Sequence, residues 1–251
     1  MRINNFKHLL LHCYLFTLSF AASAQQEQVE KRADSLYFAK AYQAAAVNYL
    51  EAARLLPLFS NPKSYHYNAA CCYVLAGDHK KGIAQLRIAV NTYGYSKLTQ
   101  MLTDKDLDAL HNTKAWKKII TALREKEDKL ADPTNMQLVT TDIHHFWKAY
   151  DAARKDTANR TTIFTRQYFG KASVGLKDYF ATKILTVDAF VRNQDKKPLF
   201  YASIRKNSLA IDGMKGEILQ NMKKLDSLYD DAVFPAIHFV MGRWNSAGTV
   251  S

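Results

Sequence analysis

The feature that most constrains the fold is an internal repeat, in which small and bulky residues recur at a fixed separation of 37 positions. The repeated positions of the first copy are Ala33, Leu36, Tyr42, Ala45, Tyr49 and Ala52, and those of the second are Ala70, Tyr73, His79, Gly82, Leu86 and Ala89. Small residues are required where two helices cross closely, and bulky residues fill the space beside the crossing. The repeat therefore predicts two successive pairs of packed helices.

The spacing within each copy resembles that of tetratricopeptide repeats, and the second copy, "YNAACCYVLAGDHKKGIAQLRIAV", carries the clearer pattern. The resemblance implies a first helix, a turn and a second helix in each copy, with Pro57 closing the first copy and Gly77 in the turn of the second. The usual period is about 34 residues, and a loop at 60–62 accommodates the longer one. Any antiparallel helix pair alternates small and large residues, but two copies in register favour true repeats.

A third segment, "MLTDKDLDALHNTKAWKKIITAL", resembles the end of a tetratricopeptide group, where a short acidic helix leads into a capping helix with an aromatic anchor, here Trp116. A terminal repeat needs a polar outer face, and the charged run 124–129 extends the capping helix into solvent. Pro133 disfavours helix at the residue before it. We therefore predict a repeat domain at 25–131 and a second domain at 132–251.

Residues 1–24 have the pattern of a secretory signal peptide. Arg2 and Lys7 precede an apolar stretch that ends in the small-x-small sequence Ala-Ser-Ala. The stretch is short and interrupted by polar residues, which disfavours a membrane anchor, and Cys13 in its middle does not fit a lipid-modification site. We therefore expect an exported protein, in the periplasm, at the cell surface or outside the cell, with no membrane span after cleavage.

The chain carries a formal net charge of +12, and basic proteins attract anionic partners. The basic residues are nevertheless scattered in short pairs such as Lys80-Lys81, which is typical of a solvated surface, and export disfavours a nucleic-acid partner. Cys71 and Cys72 remain after cleavage. Adjacent cysteines do not form an unstrained bridge with each other, so we expect both to pack as small apolar side chains in a helix, with a redox role as the alternative.

The second domain is predicted to be mostly helical, with a little β structure near its end. Its first helix is indicated by an apolar stripe at helical spacing, formed by Val139, Ile143, Phe146, Trp147 and Tyr150. Further helices are indicated at 164–169, 176–185 and 214–228, and a strand-like run extends from Ile237 to Met241. The predicted fold class is thus mainly α, a tetratricopeptide-type solenoid of antiparallel helix pairs followed by this second domain.

Three stretches of the second domain resemble a family of exported, predicted zinc-dependent proteases of bacteria, in which tetratricopeptide repeats can precede a peptidase-like domain. They are "DIHHFWKAYD" (142–151), "YFGKASVGLKDYFATKI" (168–184) and "LYDDAVFPAIHFVMGRWNSAGTVS" (228–251). The resemblance spans most of 137–251 and depends above all on the closing Phe-Pro, Phe-x-x-Gly and Gly-Thr elements.

In that family, a His-Glu-x-x-His helix comes after the Gly-Thr stretch, and its two histidines bind Zn²⁺ while the glutamate activates a metal-bound water. This chain contains no such motif, since His8 and His12 have the spacing but Leu9 occupies the glutamate position. The resemblance therefore implies that zinc belongs to a longer parent protein. For the 251 residues themselves we predict no catalytic residue, no metal ligand and no cofactor.

The repeats provide the first candidate binding surface. The inner face of their first helices is predicted to include Tyr67, Asn68, Cys71 and Val74, which would form a groove for a peptide or a partner helix. The alternative is that these residues simply pack in the core.

The strand-like run near the end of the chain provides the second candidate binding surface. In zincin-like folds an edge strand pairs with extended substrate through backbone hydrogen bonds, a role that the resemblance would give to the segment around Phe239. Gly242, Ser246 and Gly248 would then admit another backbone closely. The alternative is an ordinary core strand followed by a turn.

Two further groups of residues could be taken as ligand sites, but we favour a purely structural role for both. His144 and His145 could be combined with His238 as a metal cluster, but neighbouring helical residues point about 100° apart, so one imidazole is expected to face the interior and the other water. Asp230 and Asp231 resemble a solvated turn more than a cation site.

The sequence leaves two hypotheses about function. The first is that the chain is the front part of an exported zinc peptidase-like protein whose repeats position a substrate or partner. The second is that it is a non-catalytic interaction module of the periplasm or cell surface.

Overall fold

The computed structural model describes residues 24–56 and 59–244, and this part of the chain is mainly helical, as predicted. Residues 1–23, which hold almost all of the predicted signal peptide, and Pro57 lie outside the described residues. The described residues form two compact units, unit one (24–56 and 62–123) and unit two (59–61 and 124–244). None of the helices in these ranges is long and apolar enough to cross a membrane.

Unit one begins with four helices, which cover the repeated positions of both copies except Ala89. Its helices are α1 (24–38), α2 (Tyr42–Leu55), α3 (Lys63–Leu75), α4 (His79–Arg87), α5 (Leu98–Thr103) and the first part of α6 (Lys114–Leu130). A π-helical turn, Ile88–Thr92, continues α4, and a 3-10 helix, Lys105–Leu110, precedes α6.

Local chemistry explains the turn between α3 and α4. Gly77 has a φ of +81°, which glycine adopts without steric cost, and its N–H donates to the carbonyl of Val74. Asp78 then caps α4, because its side chain accepts a hydrogen bond from the N–H of Lys81. Gly82 lies where the helices cross, since a Cβ at this position would come within 2.6 Å of Val74 Cγ2. Gly77 therefore lies in the turn after α3, and Gly82 lies at a close contact between α3 and α4.

The end of unit one also has the predicted elements. Trp116 is buried near the start of α6 and stacks on His111. The division between the compact units nevertheless falls after Leu123 and not near 132. The helix α6 continues to Leu130, but its last seven positions contribute no buried residue.

Unit two contains six helices. They are α7 (Thr141–Lys155), α8 (Arg160–Gln167), α9 (Val174–Tyr179), α10 (Val187–Lys196), α11 (Pro198–Leu209) and α12 (Lys215–Asp226). Five of them, α7 to α11, contribute side chains to an aromatic core. Phe146, fully buried on α7, is surrounded by the rings of other elements of this unit. Periodicity did not indicate α10 or α11, because only three side chains of α10 and one of α11 are buried, among them Phe190 and Tyr201.

Two short strands complete unit two. β1 (Leu138–Val139) pairs in parallel with β2 (Ile237–His238), and Leu138 lies opposite Ile237. The predicted strand Ile237–Met241 is therefore too long. The pairing stops because the partner strand β1 ends at Val139 and α7 begins at Thr141. Further along, the backbone N–H and C=O of Met241 both bond to the hydroxyl of Tyr168.

Candidate functional site

The extended segment that contains β2 has one unpaired edge. On its paired side, the N–H of Ile237 donates to the carbonyl of Gln137 at 2.8 Å and that of Phe239 donates to the carbonyl of Val139 at 2.9 Å. Successive residues of a strand direct their backbone groups to opposite sides, so His238 and Val240 point theirs away from β1. Within 24–56 and 59–244, the N–H and C=O groups of these two residues have no hydrogen-bond partner. We call these four groups the open edge.

Side chains hold the continuation of this segment in place. The Tyr168 hydroxyl donates to the carbonyl of Met241 and accepts from its N–H, both at 2.9 Å. The Tyr201 hydroxyl donates to the carbonyl of Gly242 at 3.2 Å, and the amide of Asn193 donates to the carbonyl of Arg243 at 2.7 Å. The segment is thus fixed without a neighbouring strand, and a fixed segment loses little conformational entropy on binding.

A buried polar relay supports the side chain of His238. Asp142 is fully buried on α7, and its two carboxylate oxygens accept the backbone N–H and the hydroxyl of Ser173. Ser173 Oγ also caps α9 by accepting from the N–H of Leu176 at 3.2 Å. The Nδ1 atom of His238 lies 2.9 Å from the same oxygen. A carboxylate, a hydroxyl and an imidazole are therefore linked in series.

Two glycines allow α9 to lie against the segment. A Cβ at Gly175 would come within 2.4 Å of His238 Cγ, and one at Gly242 would come within 2.6 Å of the hydroxyl of Tyr179. Gly242 was predicted to admit another backbone closely, but its close neighbour in the structure is this tyrosine ring. Phe239, the other predicted residue that the structure describes, is half-buried against the core of unit two. Ser246 and Gly248 lie outside the described residues.

The four residues predicted for the repeat groove lie mostly in the core of unit one. Tyr67, Cys71 and Val74 are buried, and Asn68 is half-buried. A partner would reach the first three only after this core had repacked. Their burial corresponds to the packing alternative, and a binding role for the four stays a prediction. Cys72 is also buried and free, as expected of a packed thiol.

Cys71 belongs to the one group of three potential metal ligands among the described residues, with Asp104 and Asp106. Each carboxylate already accepts a phenolic hydrogen bond, Asp104 from Tyr67 at 2.6 Å and Asp106 from Tyr37 at 2.7 Å. Burial raises the pKa of the Cys71 thiol far above its ordinary value, and the nearby carboxylates add to this effect, so the thiol stays protonated and is a poor ligand. The group is a satisfied hydrogen-bond network.

The histidines of unit two do not form a group of zinc ligands among the described residues. His144 Nε2 lies 2.6 Å from Asp212 Oδ2, whereas His238 bonds to Ser173, and the buried Nδ1 of His145 has no partner among the described residues. In the described part of unit two, no three potential ligand side chains come together. We therefore derive no chemistry through a metal here. Asp230 and Asp231 lie in an exposed turn.

Asp212 joins three elements of unit two and makes the stability of this unit depend on pH. It accepts hydrogen bonds from Lys215 at 2.8 Å, Thr140 at 2.6 Å and His144 at 2.6 Å, and these donors lower the pKa of its carboxyl well below the ordinary 3.8. A depressed pKa stabilises the fold above the pKa of the unfolded chain, and this contribution is lost as the pH falls through the folded pKa.

We expect Asp212→Asn to lower the melting temperature at pH 7. The difference in melting temperature between the variant and the wild type should narrow as the pH falls below about 3.8. The effect should be modest because the carboxyl is partly exposed to screening solvent. Thermal unfolding followed by circular dichroism between pH 2 and pH 7 measures it. Asp231→Asn, in an exposed turn, is the control and should show no such difference. A difference that widens in acid would contradict this assignment.

No protein-family model, no curated protein and no solved structure matches this chain. The resemblances to tetratricopeptide repeats and to exported zinc proteases therefore stay predictions from sequence. The function of the chain has to be inferred from the geometry of the described residues.

Asp142 and Ser173 were not among the site residues predicted from the sequence. A local signal existed for Ser173, because a serine just before a helical segment is a common cap. The contacts that make the relay join residues 31 and 65 positions apart. A single sequence contains no periodic pattern that reports such contacts.

Proposed function

We propose that this chain is the peptide-binding part of an exported peptidase-like protein, and that the open edge of β2 accepts an extended polypeptide. The observation that carries the proposal is the row of unpaired backbone groups at His238 and Val240, on a segment already fixed by neighbouring side chains. An exposed strand edge is a template for strand addition. The proposal assigns binding, and not catalysis, to these residues.

The energetics of the edge suit a weak and sequence-tolerant interaction. Each backbone hydrogen bond contributes about 0.5–1.5 kcal/mol net, and the open edge offers two donors and two acceptors. Main-chain bonds are common to all peptides, so side-chain contacts must supply any selectivity. His238 and Val240 are both half-buried residues, and a bound peptide would shield these hydrogen bonds further from competing water.

A second candidate is a non-catalytic interaction module, in which α1–α4 form two antiparallel tetratricopeptide-type pairs of a short solenoid and bind a protein partner. Exposed apolar side chains of unit one favour it, since Phe38 is 80% exposed and Val47 is 54% exposed. Val47 also lines a shallow depression of about 480 Å³ along α2.

Binding of a fluorescein-labelled, capped peptide in which threonine alternates with alanine tests the edge directly. We expect Val240→Pro to weaken binding at least tenfold, because proline removes the Val240 N–H and places its ring on the open edge. The same peptide with a fully N-methylated backbone should also lose binding. Fluorescence anisotropy measures both, and circular dichroism confirms that the variant folds.

Val240→Ala is the matched control, because it changes the same side chain but keeps the backbone N–H on the open edge. It should bind the peptide as the wild type does. Equal affinity of Val240→Pro and the wild type would contradict edge binding and favour the repeat unit as the binding surface.

A further inference from the structure

We infer that His238 selects the side chain of a peptide on the open edge, favouring a hydrogen-bond donor such as threonine or serine opposite it. This inference rests on the proposed function and adds the substrate class that the edge would prefer. It depends on three properties of the imidazole: which nitrogen carries the proton, the charge of the ring, and the face on which it lies.

The relay determines which nitrogen carries the proton. Ser173 Oγ has one hydrogen, which is directed to Asp142 because a carboxylate can only accept. The oxygen then acts as an acceptor toward its two other neighbours, the N–H of Leu176 and the Nδ1 of His238. Nδ1 must therefore be the protonated nitrogen, and the lone pair lies on Nε2. Within the described residues, Nε2 has no hydrogen-bond partner.

The ring is neutral at pH 7. Burial lowers the pKa of His238 below its ordinary value of 6.5, against the opposing effects of Asp142 and Asp178. A neutral imidazole with its proton on Nδ1 is an acceptor at Nε2. Gly175 keeps the ring in this place, because any side chain there would collide with it.

A peptide on the open edge would place one side chain beside this acceptor. Directly opposed residues of neighbouring strands have their side chains on the same face, with Cβ atoms about 4.5–5.5 Å apart. The backbone groups of His238 belong to the open edge, so the peptide residue opposite it shares the face of the imidazole. A threonine hydroxyl there can donate to Nε2, whereas the isosteric valine cannot.

The discrimination comes mainly from the cost of leaving Nε2 unpaired. A peptide that covers the half-buried ring removes water from Nε2, and an unsatisfied acceptor costs about 1–3 kcal/mol. This corresponds to a preference of about tenfold or more for the donor over its isostere.

The first test concerns the imidazole alone. The free protein is labelled with ¹⁵N-histidine, and its long-range proton–nitrogen NMR spectrum should show His238 protonated at Nδ1 and unprotonated at Nε2. The signals of His238 are assigned by their loss in His238→Gln. Ser173→Ala should yield a mixture of the two tautomers, and Ser173→Thr, which keeps the hydroxyl, should restore the single form. A wild-type ring protonated at Nε2, or charged at pH 7, would overturn the inference.

The second test concerns selectivity. Two peptides that differ only in having threonine or valine at the alternate positions are compared by anisotropy. The wild type should prefer the threonine peptide about tenfold, and His238→Phe should bind both equally. Equal binding of the two peptides to the wild type overturns the inference while the proposed edge binding stands. Failure of both peptides to bind overturns the proposed function and this inference with it.

Discussion

Replacing Phe146 by alanine should lower the free energy of unfolding of unit two by about 3–5 kcal/mol. Phe146 is fully buried, and six aromatic rings have their centroids within 6.0 Å of its own. Truncation removes its apolar surface from the core and leaves a cavity that these rigid rings fill poorly. Edge-to-face contacts between rings are lost as well. A loss of this size approaches the whole stability of a typical domain.

Trp147, buried beside Phe146, provides the signal for this measurement. Urea unfolding followed by tryptophan fluorescence, in a background with Trp116→Phe and Trp244→Phe, reports on unit two alone. Leu199→Ala is the control, because Leu199 is 84% exposed and its truncation should change the stability by less than about 0.5 kcal/mol. A change below about 1 kcal/mol in Phe146→Ala would contradict the packing of this core.

The helices of unit one were predictable because the same pattern of small and bulky residues occurs twice in the sequence. The pattern that places Ala45 in the first copy places Gly82 in the second, and both are buried where helices pack. Unit two has no repeat, and its α10 buries only Phe190, Val191 and Gln194. A short helix with so few buried positions has a weak periodic signal, which explains why it was missed.

The candidate site was predictable in position but not in chemistry. The apolar run that contains Phe239 indicated a strand, and the unpaired groups of His238 and Val240 lie within that run. The edge role itself stays a prediction. The strand ends early because its partner β1 stops at Val139, and Met241 bonds to the hydroxyl of Tyr168, a residue distant in sequence. Periodicity reports which residues are buried, whereas hydrogen bonds between distant residues depend on the tertiary fold.

Gly175 connects the packing of α9 to the chemistry of His238, and its replacement by alanine should affect both. The new Cβ would lie within 2.8 Å of three atoms of the His238 side chain, two of them in the ring, which is closer than van der Waals contact permits. Either α9 or the ring must move, and the bond between His238 Nδ1 and Ser173 is expected to break. Overpacking of this kind costs about 1–3 kcal/mol, against at most about 1 kcal/mol gained from the helix propensity of alanine.

Gly216→Ala is the matched control, because Gly216 also lies in a helix of unit two and a Cβ there meets nothing within 4 Å. Urea unfolding should show Gly175→Ala destabilised and Gly216→Ala unchanged or more stable by up to about 1 kcal/mol. In the imidazole spectrum, only Gly175→Ala should lose the single tautomer of His238. If Gly175→Ala were as stable as the control and kept that tautomer, α9 would not hold the ring in place, and His238 would have no fixed acceptor to offer a peptide on the open edge.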